Sequence, residues 1–129
     1  MSIEDISQAQ FLFHLMAMMK NKRVIIPTKR EGWHKLFYEL KQKEREGRPS
    51  FLDKLWFDWD GPYPTSPWLS EALDRCAITH YVVSPELREI AFSEDNMNVY
   101  LEKQQCFSPR LREYLDYASE EAKKFLQAG

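Results

Sequence analysis

Glycine is scarce in this chain. Four glycines in 129 residues leave little material for a loop that cradles phosphate, and neither a Gly-x-Ser-x-Gly nor a His-Glu-x-x-His stretch is present. Cysteine is scarcer still. Cys76 and Cys106 are too few for a disulfide scaffold and lack the paired spacing of a zinc site, so both are expected as free thiols, and no metal or cofactor is expected. No sign of charge dominates: 18 Lys and Arg face 20 Asp and Glu, a net charge of −2, which removes any global electrostatic argument for nucleic acid or an anionic membrane. Long apolar runs are missing too. The stretch Phe11 to Met19 is interrupted by His14 and falls far short of a membrane span, and Met1-Ser2-Ile3-Glu4-Asp5 is acidic where a signal peptide is basic. A soluble, cytoplasmic protein without a membrane partner is the expectation.

What is present is apolar and aromatic. Hydrophobic residues make up 43% of the chain and aromatics 14%, enough for one buried core, and residues 1–129 read as a single domain. Ser2 and Asp5 have capping-box spacing ahead of Ile6, Phe11, Leu12, Phe13, Leu15, Met16, Met18 and Met19, which predicts a central helix over about 3 to 20. Thr28 and Glu31 form a second such pair. They open a helix in which Trp33, Leu36, Phe37 and Leu40 follow i, i+3, i+4, i+7 spacing, stopped by Gly47-Arg48-Pro49. Ser50 and Asp53 cap a further turn, and the aromatic run Trp56 to Trp59 reads as a short strand or extended segment. In Asp60-Gly61-Pro62-Tyr63-Pro64 the chain must turn sharply, and Gly61 is the residue able to take a positive φ there. Ser66-Pro67 starts a helix ending near Cys76. Ile78 to Val83 and Leu87 to Phe92, either side of Ser84-Pro85-Glu86, predict a β-hairpin. Ser93 caps a helix over about 94 to 104, and Ser108-Pro109 starts the last, to about 127.

This order of elements predicts an α+β, predominantly helical fold: a winged-helix-like core of helices plus one β-hairpin over about 1–92, and a C-terminal helical extension over about 93–129. Trp33-His34-Lys35-Leu36-Phe37-Tyr38-Glu39-Leu40 followed by Phe57-Asp58-Trp59-Asp60-Gly61-Pro62-Tyr63-Pro64 and Leu69 resembles the helix-then-Gly-Pro pattern of Panacea-type antitoxin domains and of small winged-helix-like prokaryotic regulators. The resemblance covers roughly residues 24 to 75. It implies a prokaryotic protein-binding or regulatory module encoded beside a partner, rather than an enzyme.

Catalytic groups are sparse. Cys76 and His80 lie four apart with a helix end between them and no third group to orient the histidine, so no catalytic residue is expected. His14, in an apolar helix, reads as a hydrogen-bonded core histidine and His34 as a surface residue. Asp58 and Asp60 read as a turn cap and a solvated side chain. Two candidate surfaces remain. Between positions 20 and 48 stand ten cations and four anions, a local excess of +6, in which Lys20, Lys22, Arg23, Lys29, Arg30, Lys41, Lys43 and Arg45 are candidates for phosphate contact. Against DNA reading, the helix after Pro67 carries Glu71 and Asp74 with Arg75 as its one cation. Trp56, Trp59, Tyr63 and Trp68 are candidates for a partner-binding surface, because alternate side chains of an extended segment leave on opposite faces. The competing reading buries Trp56 and Trp68 around the turn. Lastly, Leu111, Leu115, Ala118, Ala122 and Phe125 recur every 3.5 residues and form a seam for another helix. That helix is either the chain's own first helix or a second copy in a homodimer, with Tyr114 and Tyr117 beside the seam. The sequence thus predicts a small regulatory or protein-interaction module without catalytic activity; the alternative is a nucleic-acid-binding transcriptional regulator that uses the basic face.

Overall fold

The computed structural model describes residues 2–27, 29–75, 82–84 and 89–126. The first helix, α1 (Gln8–Asn21), begins five residues later than its sequence suggests. The side chain of Ser7, not Ser2, accepts from the Gln10 backbone while the Gln10 side chain accepts from the Ser7 N–H. Asp5 is engaged elsewhere. It accepts from the backbone of Ile6 and Ser50 at 3.0 Å each and from the Ser50 hydroxyl, which ties the segment ahead of α1 to a distant loop. At the far end Val24 N–H returns to Met19 O at 2.8 Å and Arg23 N–H to Lys20 O at 3.0 Å. That pattern closes the last turn around a left-handed residue, and Arg23 supplies it with φ 62°.

Helix α2 (Arg30–Gln42) buries Trp33, Leu36, Phe37 and Leu40 completely, as their spacing requires. Lys29 occupies its N-cap position and its side chain makes no capping hydrogen bond; Thr28, and with it the expected Thr28–Glu31 box, lies outside the described residues. One turn, α3 (Phe51–Lys54), follows. The run after it is not a strand. It makes a single bridge in which Asp58 and Thr65 exchange backbone hydrogen bonds of 2.8 and 2.9 Å. Helices α4 (Pro67–Arg75), α5 (Glu94–Lys103) and α6 (Pro109–Leu126) start behind Ser66, Ser93 and Ser108, whose hydroxyls accept from the backbones of Leu69, Asn96 and Leu111.

The α+β, winged-helix-like class is corrected by this arrangement: the fold is all-α. Of the hairpin expected over 78–92, the described residues contain only a two-stranded ladder of three residues per side, Val82–Ser84 against Glu89–Ala91. Residues 76–81 and 85–88, with Cys76 and His80 among them, lie outside the described residues. Among the described residues no β layer covers the helices. They cover one another, with α1 packed against α5 and α6, α2 against α6, and α3 against α2.

The last helix fills the centre instead of extending from it. Leu111, Leu115, Ala118 and Ala122 are fully buried and Phe125 is partly so, all within the one core cluster. The seam meets the chain's own α1 and α2, so its buried residues pack within the chain. Tyr114, placed beside the seam by sequence, is buried as well. Two glycines make these approaches possible. At Gly32 in α2 a Cβ would lie 2.6 Å from the Phe125 carbonyl oxygen, and at Gly47, with φ 85°, it would lie 2.2 Å from the Arg110 carbonyl oxygen. Gly61 does neither: its φ is not positive, and a Cβ there would meet nothing within 4 Å.

Candidate interaction surface

Helix α2 has a second working face, beside its core face. His34 and Tyr38 lie four apart, one turn along the helix, and receive the aromatic segment that returns from α3. Phe57 and Trp59, two apart and therefore on one side of an extended chain, both meet Tyr38 edge to face, with ring centroids at 5.3 and 5.1 Å and planes at 84° and 88°. Trp56 leaves on the other side. The turn beyond is braced by the Asp58–Thr65 bridge, by the Asp60 N–H donating to Asp58 Oδ1 at 3.0 Å, and by Tyr63 lying 6.0 Å over His34. Asp58 thus caps the turn, and its carboxylate raises the pKa of exposed Asp60. Trp56 is 65% and Trp59 60% exposed, whereas Tyr63 and Trp68 are half-buried, Trp68 against Phe37 and Phe51. The four candidate partner-binding residues therefore divide: Trp56 and Trp59 are presented to solvent, and Tyr63 and Trp68 hold the platform. The reading that buried Trp56 fails because Leu55, its neighbour, takes the inward position.

His34 corrects the sequence reading most sharply. It is buried at 1% exposure, not on the surface. Its Nδ1 accepts from the Ser66 N–H at 3.0 Å, which leaves Nε2 to carry the proton toward Ser70 Oγ at 3.1 Å. Burial, with the Arg30 guanidinium adding to it, lowers the pKa. His34 and Tyr38 were legible as an i, i+4 pair, but nothing in the pattern said that α4 would dock on the first and two aromatics on the second. His14 is the core histidine its setting suggests: Gln104 lies 3.1 Å from its Nδ1, and burial first and Lys103 second push its pKa down to about 4.

The basic stretch does not form one open face. Lys22 reaches across to α6, where Asp116, Ser119 and Glu120 lie 2.5, 2.6 and 2.9 Å from its ammonium. Arg30 bonds the Ser70 carbonyl and pairs with Asp74, Lys41 donates to the carbonyls of Leu52 and Asp53, and Lys43 pairs with Glu39. Arg45 lies 4.0 Å over the Tyr117 ring. Lys20, Arg23 and Lys29 remain, without an ion pair among the described residues. Five of the eight phosphate candidates are thus occupied, Lys22, Arg30, Lys41 and Arg45 in contacts with other segments and Lys43 within the end of α2. An open cleft of about 680 Å³ runs along α6 past Arg45, Arg112, Glu113, Asp116 and Tyr117, with charges of both signs.

No group of His, Cys, Asp and Glu among the described residues is arranged to hold a metal ion, and no helix among them is long and apolar enough to cross a membrane. No family model, no curated protein and no solved structure matches this chain.

Proposed function

We propose that this chain is a small cytoplasmic regulatory module that acts by docking a protein partner on the aromatic surface of Tyr38, Trp56, Phe57 and Trp59, and performs no catalysis of its own. The observation that carries the reading is the exposure of Trp56 and Trp59 beside a core that buries Trp33 completely. An indole left in water forgoes a large burial that the chain achieves elsewhere, and Trp is among the residues that dominate binding energy when an interface covers them. Trp59 is also set in place by Tyr38, so little side-chain freedom remains to be lost on docking. The buried histidines, the groups best suited to proton transfer near neutral pH, are each spent in hydrogen bonds inside the fold. The resemblance to Panacea-type antitoxin domains over residues 24 to 75 adds an expectation of the same kind, a prokaryotic module that works with a partner.

Site-specific photocrosslinking tests it. A benzophenone side chain at position 56 or 59, expressed in the native cell, should trap one defined protein. The same group at Arg112, on the far helix, should not. The Trp56→Ala/Trp59→Ala variant should lose that partner with an unchanged melting temperature. A partner retained by the double variant, or trapped equally from Arg112, places the interface elsewhere.

A further inference from the structure

We propose that His34 is a proton-sensitive latch for the docking surface: as the neutral ring it holds the turn that carries Trp59 against α2, and on protonation it lets that turn go. The device rests on the docking surface proposed above for its purpose, and on bonds within the chain for its working.

The path from the ring to the indole is short. His34 Nδ1 accepts from the Ser66 N–H at 3.0 Å, and Thr65, the residue before, exchanges two backbone hydrogen bonds with Asp58, the residue before Trp59. Tyr63 lies over the same ring from inside the turn. One limb of the turn is thus fixed to α2 at His34, and the other at Tyr38, whose ring meets Phe57 and Trp59. Tyr38 holds its limb by ring contacts, whereas His34 holds the other by a bond that one proton removes.

The chemistry at Nδ1 permits no halfway state. Because Nε2 carries its proton toward Ser70 Oγ, a second proton must go to the Nδ1 lone pair, and that lone pair is the acceptor for Ser66. Protonation sets two N–H donors against each other. Ser66 cannot turn aside, since its carbonyl accepts from the Ser70 N–H at 3.0 Å and its hydroxyl from the Leu69 N–H at 3.3 Å. It is also fully buried, so no solvent replaces the lost acceptor. Ring and turn must part.

Little around the ring shelters a charge. Ser66 and Ser70 face it from α4 and Tyr63 from the turn, while Arg30 and Tyr38 stand one turn away along α2 on either side. Arg30 brings a like charge, which Asp74 of α4 answers in part. No carboxylate among the described residues lies within ion-pair distance of His34. Burial first and Arg30 second hold its pKa below the ordinary 6.5. The bonded form is the neutral one, so the latch is whole above pH 6.5 and is lost as the pH falls through the folded value beneath it.

The test is an NMR titration of the intact protein from about pH 8 to about pH 5, without any partner. It reads the His34 ring, the Ser66 N–H and the Trp59 indole N–H together, with the Leu115 amide of the buried α6 seam as reference for the fold as a whole. The three signals should follow one single-proton curve with a midpoint below 6.5 while Leu115 stays in place. In His34→Asn the Ser66 and Trp59 signals should stay still over the same range, and in His14→Gln they should move as in the parent. Should His34→Asn not fold, Arg30→Gln, at a partly exposed position, carries the test: removing the like charge should raise all three midpoints by the same amount. A Trp59 signal that stays still while His34 titrates overturns the latch, and so does a ring still neutral at the acid end. A titration that survives in His34→Asn, or unequal shifts in Arg30→Gln, overturns it too. A Leu115 signal that moves with the others means unfolding, not release of a turn, and has the same consequence. A partner trapped at position 59 together with a Trp59 indifferent to pH removes the latch and leaves the docking surface, whereas the expected titration with no partner trapped there removes the docking surface and leaves the latch.

Discussion

At the scale of single residues, backbone conformation and space decide more than residue type. Gly47 and Gly61 both stand within two residues of a proline, yet only Gly47 has a positive φ and a carbonyl pressed against the place of its missing side chain. Gly47→Ala should therefore cost more than about 2 kcal/mol in urea denaturation, whereas Gly61→Ala should stay within about 0.5 kcal/mol of the parent. The reverse operation applies at Arg23, a side-chain-bearing residue at φ 62° in the closing turn of α1. Arg23→Gly should raise stability by about 0.5 to 1 kcal/mol, and a fall in the denaturation midpoint would show that the arginine side chain contributes more than its backbone strain. His14 sets a dependence on pH. Its folded pKa of about 4 lies below the ordinary 6.5 because burial, and then Lys103, disfavour the charged ring. Above pH 6.5 both folded and unfolded chains hold a neutral imidazole and the contribution is whole. Between pH 6.5 and about 4 the unfolded chain takes up a proton that the folded chain refuses, so stability falls by up to about 3 kcal/mol. His34 acts in the same direction. His14→Gln should flatten the fall of the urea midpoint across this window by close to one proton, and an unchanged slope would place the titration elsewhere.

At the scale of elements, the joint between α2 and α4 is polar and small. The Ser66 N–H is the first donor of α4 to meet α2, and it points at His34 Nδ1 in a buried setting. His34→Leu strands that donor and should cost about 2 kcal/mol. His34→Asn, whose Oδ1 falls near the place of Nδ1, should recover part of the loss, and equal losses in the two variants would show that the ring's packing, not its bond, joins the helices. This joint also marks the limit of what the sequence discloses. The helices themselves were legible, because Trp33, Leu36, Phe37 and Leu40 repeat with the helical period and because Ser66, Ser93 and Ser108 are caps visible in one dimension. The burial of His34 was not, since it depends on a partner 32 positions away. Ser2 and Ser7 are equally good caps on paper, and only the recruitment of Asp5 by Ser50 decides between them. In the candidate surface, the presence of four close aromatics was plain while their division was not, because Leu55 and Tyr38 decide which of them turn inward.

At the scale of the whole molecule, α6 is the element the others cannot do without. It supplies Leu111, Tyr114, Leu115, Ala118 and Ala122 to the core and anchors Lys22. Its removal would open a gap far larger than any single side chain, so a chain ending at Phe107 should lose cooperative unfolding by circular dichroism and expose apolar surface to a reporter dye. A truncated chain that melts cooperatively would show that α1 and α2 can close on each other.

The central place of α6 also governs how the molecule comes into being. The ribosome delivers α1 first, and roughly 90 residues separate its end at Asn21 from the start of α6 at Pro109. At about 5 to 20 residues per second, the apolar first helix waits on the order of 5 to 20 seconds for the helix that encloses it. During that interval its leucines, methionines and phenylalanines lack the part of their native cover that α6 supplies, and a nascent-chain chaperone has both the time and the surface to bind them.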